Sequence, residues 1–269
     1  MTNTLPNIHP TAIVEDGANV SNSCKIGPYC CIGPEVTLDH NVSLVSHVVI
    51  SGRTFIGRGT KVWPFSSVGS EPQDLKYNGE KSTLKIGQNN LIRECVSIST
   101  GTDGGGGITS IGNNCLFMLG SHVGHDCKLG DNIIIANNSA IAGHVIIEDN
   151  VNIGGLVGVH QFCRIGEGSM IGAHAMVSKD IIPFSMIVGM RPVLSGVNLV
   201  GLKRRGSKKE DIKKLVDVFS RLFEKKGNQN FQERLKAIDK DKLYQITEVQ
   251  KVIEFMKQES TRSFVAPKT

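Results

Sequence analysis

Six residues able to bind or move protons lie within about forty positions of one another: His122, His125, Asp126, His144, His160 and Gln161. A neutral imidazole can take a proton from an attacking hydroxyl. Asp126, the neighbour of His125, can orient that ring and stabilise the imidazolium, as in a Ser-His-Asp arrangement without its serine. No nucleophilic serine stands out beside them. Direct attack by a substrate hydroxyl on an acyl donor is therefore expected, with no covalent enzyme intermediate. A backbone N–H at Gly143 can serve as oxyanion donor if the fold stacks it beside His125.

Stacking of that kind needs a regular scaffold, and the sequence carries one. From Ile8 every sixth residue is aliphatic up to Val68; the phase returns at Ile86, Ile92 and Ile98. It slips by one across the glycine run 104–107, then runs from Ile111 through Phe117 to Val177. Neither a helix, with period 3.6, nor a simple strand, with period 2, explains a strict six. Gly often follows the aliphatic, and a small or β-branched residue stands four after it. The pattern fits a short flat strand and a tight corner, with Gly or Asn relieving strain at the turn. Three sides close a triangular coil of 18 residues, so residues 8–188 are expected to form a parallel β-helix of about nine coils, the hexapeptide-repeat class. Members of that class wind left-handed. The 18-residue step places His125, Gly143 and Gln161 in one vertical column and Asp126 under His144. All of these avoid the aliphatic and small slots, and so face outward or stand at corners.

The cysteines obey the same phase. Cys24, Cys30, Cys115, Cys127 and Cys163 occupy the small inward slot, where a thiol behaves as a small apolar group. Seven cysteines with no CxxC make disulfides and a cysteine zinc site improbable. Residues 71–85 (EPQDLKYNGEKSTLK) and 102–110 (TDGGGGITS) break the repeat and read as ejected loops, where function tends to sit on a rigid solenoid.

Thirty glycines and only 5% aromatic residues suit a narrow repetitive core in a chain of 269 residues. No apolar run of about 18 residues exists, and the N-terminus lacks a signal-peptide pattern; a soluble, cytoplasmic protein is expected. Residues 1–200 carry a net −3 and residues 201–269 a net +8. A basic end suits an acidic partner or phosphates, although a solvated helical face would read the same. Residues 1–190 are expected to be the β-helix, and 191–269 a linker and small C-terminal α-helical domain. There Ser207 and Glu210 read as a capping box. Ile212, Leu215, Val216, Phe219, Leu222 and Phe223 have helical spacing. A break follows at Gly227-Asn228, with further helices near 231–238 and 246–259.

SHVGHDC at 121–127, GHV at 143–145, VHQFC at 159–163, QDLKY at 73–77 and GVNLVGLKRRG at 196–206 together resemble the UDP-N-acetylglucosamine O-acyltransferases, the first enzymes of lipid A synthesis. The resemblance covers nearly the whole chain. It implies a cytoplasmic homotrimer with active sites between prisms. Such a trimer moves a (3R)-hydroxyacyl chain from acyl carrier protein to the sugar 3-position of UDP-N-acetylglucosamine or its 3-amino analogue. It implies His125 as general base, Asp126 as its partner and the Gly143 N–H as oxyanion donor. His122, His144, His160 and Gln161 would line the sugar-nucleotide site, with Gln73, Asp74 and Lys76 from the first loop. Asn198, Arg204 and Arg205 would meet the nucleotide or phosphates, and the basic tail would face acyl carrier protein. Gly155 would approach the 4'-phosphopantetheine arm, which arrives on the carrier, so no cofactor or metal on the enzyme is implied.

Two places depart from the family pattern. Residues 98–101 read ISTG where a His-Arg-containing stretch is expected. Ala173-His174 replaces a glycine-rich pair lining the acyl groove, with Arg191 near its end; the Ala173 methyl is expected to shorten the preferred chain. Three other readings compete with this resemblance. The paralogous N-acyltransferase of the same pathway usually carries a further N-terminal domain. An O-acetyltransferase using acetyl-CoA is disfavoured by QDLKY and GLKRRG. A γ-type carbonic anhydrase would need three His ligands to zinc, and His122 and His125 have the wrong spacing for it.

Overall fold

Each hexad forms one short strand and one corner. The computed structural model describes residues 7–224 and 230–268. All 26 aliphatic repeat positions lie in strands, mostly two residues long, such as Lys25–Ile26 and His122–Val123. The strands stack into three sheets. The first begins at Asn7–Ile8, the second at Ile13–Val14 and the third at Asn19–Val20. The pairings within the coils are parallel, for example Ile8 on Ile26 and Ile134 on Asn152, with one register shift between Val68 and Ser70 where the first loop leaves. The aliphatic repeat positions from Ile26 onward are buried, and the inward slots hold Cys24, Cys30, Cys115, Cys127 and Cys163, each no more than 1% exposed.

Apart from Gly69, with φ +83°, the glycine after the aliphatic is there for a different reason from the turn relief expected of it. The residue in the left-handed region is two positions further on: Tyr29, Asn41, His47, Asn132, Asp126 and His144 among others. Asn and Asp tolerate that conformation best among non-glycine residues. The earlier glycine solves a stacking problem. A Cβ at Gly27 would stand 1.7 Å from the Val45 carbonyl oxygen of the coil above.

Both ejected loops leave the corner between the second and third sheets, on successive coils. They lengthen the 18-residue step to 30, where Lys61 pairs with Leu91, and to 25, where Leu91 pairs with Leu116. They are shorter than expected: Thr83–Ile86 and Ile108–Ile111 are strands of the third sheet. The loops proper are residues 71–82 and 102–107. They overhang the coils that carry His122, His125 and His144.

Beyond the last coil, Val193–Val197 adds an antiparallel strand to the first sheet, where a linker was expected. Four α-helices follow among the described residues: α1 (Leu199–Arg204), α2 (Lys209–Leu222), α3 (Phe231–Lys240) and α4 (Thr247–Lys257). α1 has no counterpart in the sequence expectation. The capping box is not at Ser207. α2 starts two residues later without a side-chain cap, and Ser207 donates to Glu248 of α4 at 3.0 Å. The box forms instead at the start of α3, between Asn230 and Glu233. α2 buries Ile212, Leu215, Val218, Phe219 and Leu222, whereas Val216 is exposed; at 100° per residue it falls outside the arc of the other five. The break at Gly227-Asn228 lies outside the described residues. The domain docks on the β-helix through Arg164, which donates to Asp180 at 2.8 Å and to the Phe255 carbonyl of α4 at 3.3 Å. Residues 263–266 then run back along the prism: Asp180 N–H donates to the Ser263 carbonyl, and Val265 N–H to that of Asp180.

Candidate active site

His125 stands at the corner between the second and third sheets, and Asp126 occupies the left-handed position beside it, with φ +59°. The His125 Nδ1 lies 2.7 Å from Asp126 Oδ2. Asp126 also accepts from the Thr102 N–H at 2.8 Å and the Thr102 hydroxyl at 2.6 Å. A group held by three donors acts as the acceptor, so Nδ1 carries the proton and Nε2 faces outward as the basic nitrogen. The Asp126 side chain is fully buried. The glycine run seals it: a Cβ at Gly105 would stand 2.0 Å from the Asp126 carboxyl carbon.

One coil along, Gly143 lies against the imidazole. A Cβ there would be 2.5 Å from both Cε1 and Nε2 of His125. Among the described residues its N–H has no acceptor. His144 sits over Asp126, with Nδ1 3.8 Å from Oδ2. Its ring stacks on Phe162 at 4.5 Å and meets His125 edge-on at 4.9 Å. Burial is the main force lowering the His144 pKa, which Asp126 partly opposes. His122 extends from the second sheet and its Nδ1 is 2.7 Å from Ser97 Oγ, one coil below. Burial lowers the His122 pKa, and the nearby His125 lowers it further.

Two cavities of about 510 Å³ each flank this corner. One is lined by Gln73, His122, His125, Gly143, His160 and Gln161. The other holds Asp74, Lys76, Thr102 and His144 under the first loop. Asp74 Oδ2 lies 3.9 Å from His125 Nε2. Donor atoms of His125, Asp126 and His144 lie within 4.8 Å of one another, close enough to be considered for a metal.

The comparisons with known proteins agree with one another. A family model described as UDP-N-acetylglucosamine O-acyltransferase, domain 2, matches residues 180–265, and one for bacterial transferase hexapeptides matches 108–143 and 144–179. The chain is 50% identical to an acyl-[acyl-carrier-protein]–UDP-N-acetylglucosamine O-acyltransferase of Paracoccus denitrificans over 77% of each chain. It is 41% identical to that of Agrobacterium fabrum over 97% of this chain and 95% of the relative. The chain belongs to the UDP-N-acetylglucosamine O-acyltransferase family. Solved structures agree: the enzyme of Moraxella catarrhalis superimposes with a TM-score of 0.91 at 39% identity, covering 96% of this chain and 99% of that one. The enzyme of Campylobacter jejuni gives 0.90 at 36%, covering 97% and 100%. The fold of this acyltransferase is thus the left-handed parallel β-helix followed by a small C-terminal helical domain.

The remaining expected site residues of this acyltransferase are not all at one place. Gly155 and Ala173 stand at the corner between the first and second sheets, away from His125. A Cβ at Gly155 would meet only the Asn137 carbonyl oxygen, at 3.4 Å, so the chain's own packing does not demand the glycine. Arg191 lines a further cavity of about 490 Å³ with Met176 and Lys179. Arg205 lies at the third corner, over the Phe184 ring, where burial lowers its pKa; Arg204 is exposed beside it. Asn198 stands at the start of α1. Its amide caps α1 by accepting from Gly201 N–H at 3.0 Å and donates to the Gly168 carbonyl at 2.9 Å. These two bonds fix its orientation and use one of its two N–H donors and one of its two acceptor lone pairs.

Sequence reasoning missed Ser97, Thr102 and Arg262. The lengthened coil of 25 residues would have revealed Ser97 beneath His122, since Ser97 and His122 are register partners. Thr102 belongs to a loop, where no period applies. Arg262 lies about a hundred positions beyond the groups it touches.

Proposed function

We propose that this acyltransferase moves a (3R)-hydroxyacyl group from acyl carrier protein to the sugar 3-position of UDP-N-acetylglucosamine or its 3-amino analogue, as the first step of lipid A synthesis in the cytoplasm. The observation that carries the mechanism is His125 held by Asp126, with its Nε2 beside Gly143, whose N–H has no acceptor among the described residues. His125 Nε2 takes the proton of the attacking hydroxyl or amine as its heteroatom adds to the thioester carbon. The tetrahedral oxyanion accepts from the Gly143 N–H. Collapse expels the pantetheine thiolate, which takes the proton back from His125. Asp126 keeps the ring in the useful tautomer and steadies its positive charge. The names of the relatives support acyl carrier protein as donor and UDP-N-acetylglucosamine as acceptor.

No residue of the chain has to become acylated. The Cys127 thiol is pushed up to about 12 by burial and donates to the Ala142 carbonyl at 3.1 Å, which leaves it inert. One observation favours a second reading. The Ser97–His122 pair is a hydroxyl and a base within hydrogen-bonding reach. No carboxylate orients His122 among its contacts, and that argues for His125. Rapid-quench trapping of an acylated Ser97 would favour the covalent route.

Asp74, Lys76, His122, His144, His160 and Gln161 line the two cavities, in keeping with a polar sugar nucleotide. Gly155, Ala173 and Arg191 on a second edge, with Arg204 and Arg205 on a third, join them only if neighbouring prisms meet edge to edge, as in a homotrimer. The net +8 of residues 201–269 suits the acidic carrier protein. The reading needs no cofactor beyond the carrier's pantetheine. A transfer assay with UDP-N-acetylglucosamine, its 3-amino analogue and a ladder of hydroxyacyl carriers tests it. Transfer from acetyl-CoA alone, or stoichiometric zinc in the purified enzyme, would overturn it.

A further inference from the structure

The last residues of the chain reach the cavity beside His125. Residues 263–266 are pinned to the prism by bonds to Asp180 and Leu194, and Val265 is buried. This brings Arg262 to the rim. One guanidinium nitrogen, Nη2, lies 2.8 Å from His160 Nδ1 and donates to the Gln161 carbonyl at 2.9 Å. Both partners line the cavity that holds His125.

A guanidinium has only donors. The Gln161 carbonyl oxygen also lies 3.3 Å from Nδ1 and favours a proton there, but the charged guanidinium contact at 2.8 Å is shorter and leaves Nδ1 the bare nitrogen of His160. The lone pair is on Nδ1 and the proton is on Nε2. Without that contact an exposed imidazole chooses either tautomer. With it the ring offers one N–H donor, and the same nitrogen of Arg262 holds the Gln161 backbone in place. Arginine suits the task because it stays charged at every relevant pH and its planar fork is rigid.

We propose that Arg262 is a positioning residue of this active site: it locks His160 as the Nε2–H tautomer and fixes the His160-Gln161 corner, so that the site presents a hydrogen-bond donor to a hydroxyl or carbonyl oxygen of the sugar nucleotide. The proposal rests on the functional reading above and adds the C-terminal segment to the site.

The test combines kinetics with spectroscopy on the full-length enzyme. Arg262→Ala should raise KM for the sugar nucleotide about tenfold, the worth of roughly one hydrogen bond, with kcat changed far less and the thermal midpoint held. In a His160→Ala background the same substitution should add almost nothing. Imidazole ¹H–¹⁵N spectra should show His160 as the Nε2–H tautomer in the native enzyme and as a mixture in Arg262→Ala. Additive penalties in the double variant, an Nδ1–H tautomer in the native enzyme, or an unchanged KM in folded Arg262→Ala would each overturn the proposal. If Arg262→Ala fails to fold, Arg262→Lys keeps the stem and a charge but loses the fork, and the native spectrum still decides the tautomer. A wild-type enzyme that transfers no acyl group would sink the functional reading, while the spectra would still judge Arg262.

Discussion

His125 Nδ1 and Asp126 Oδ2 are 2.7 Å apart, and the carboxylate that holds the ring is itself held by both polar groups of Thr102. Asp126→Asn keeps the shape of that arrangement but removes the charge that steadies an imidazolium, and it lets the ring take the wrong tautomer. Turnover is expected to fall by about 10²–10⁴ with the sugar-nucleotide KM little changed. Steady-state kinetics with the carrier donor check it; a kcat within twofold of wild type would remove Asp126 from the mechanism.

Gly143→Ala places a methyl where the His125 imidazole now lies, 2.5 Å from two ring atoms. The backbone at 143 is not in the left-handed region, so the fold itself tolerates the side chain. The ring has to move by an ångström or so, and turnover should drop about 10²-fold or more at an unchanged thermal midpoint. A variant that unfolds, or one with native turnover, would contradict the geometry.

His122 and His144 both have pKa values lowered by burial. A base whose folded pKa lies below its unfolded value binds more protons when unfolded. Its contribution to stability is complete above the unfolded value of about 6.5 and is lost as pH falls below it. The thermal midpoint should therefore decline between pH 7 and pH 5. His122→Gln, which can keep a bond to Ser97, should decline less steeply. Parallel pH profiles for the two proteins would rule out His122 as a source of the slope.

Ala173 is exposed at the corner between the first and second sheets, on the same edge as Gly155. If its methyl limits the acyl groove, Ala173→Gly should shift preference toward longer hydroxyacyl chains. Competition assays across acyl lengths measure this directly, and an unshifted preference would remove the methyl from the groove.

The fold was legible because its period is local. Six residues make one strand and one corner whatever surrounds them, so one period with a single slip reads 26 strands. The column of His125 and Gly143 followed from the regular 18-residue step above the loops. Below it the step grows to 25, and the pairing of Ser97 with His122 lay hidden in that change. The role of the glycine after each aliphatic was misread because its constraint comes from the coil above, which a linear reading does not see. The bond from Asn198 to Gly168 was hidden for a similar reason, since it joins residues 30 positions apart. Thr102 and Arg262 act from segments with no period at all.

The most direct measurement is the turnover of His125→Ala with a hydroxyacyl carrier and UDP-N-acetylglucosamine, alongside its thermal midpoint and its binding of the sugar nucleotide. The account predicts a loss of about 10²–10⁴ in turnover from a folded protein that still binds the nucleotide. Full activity in that variant would contradict it.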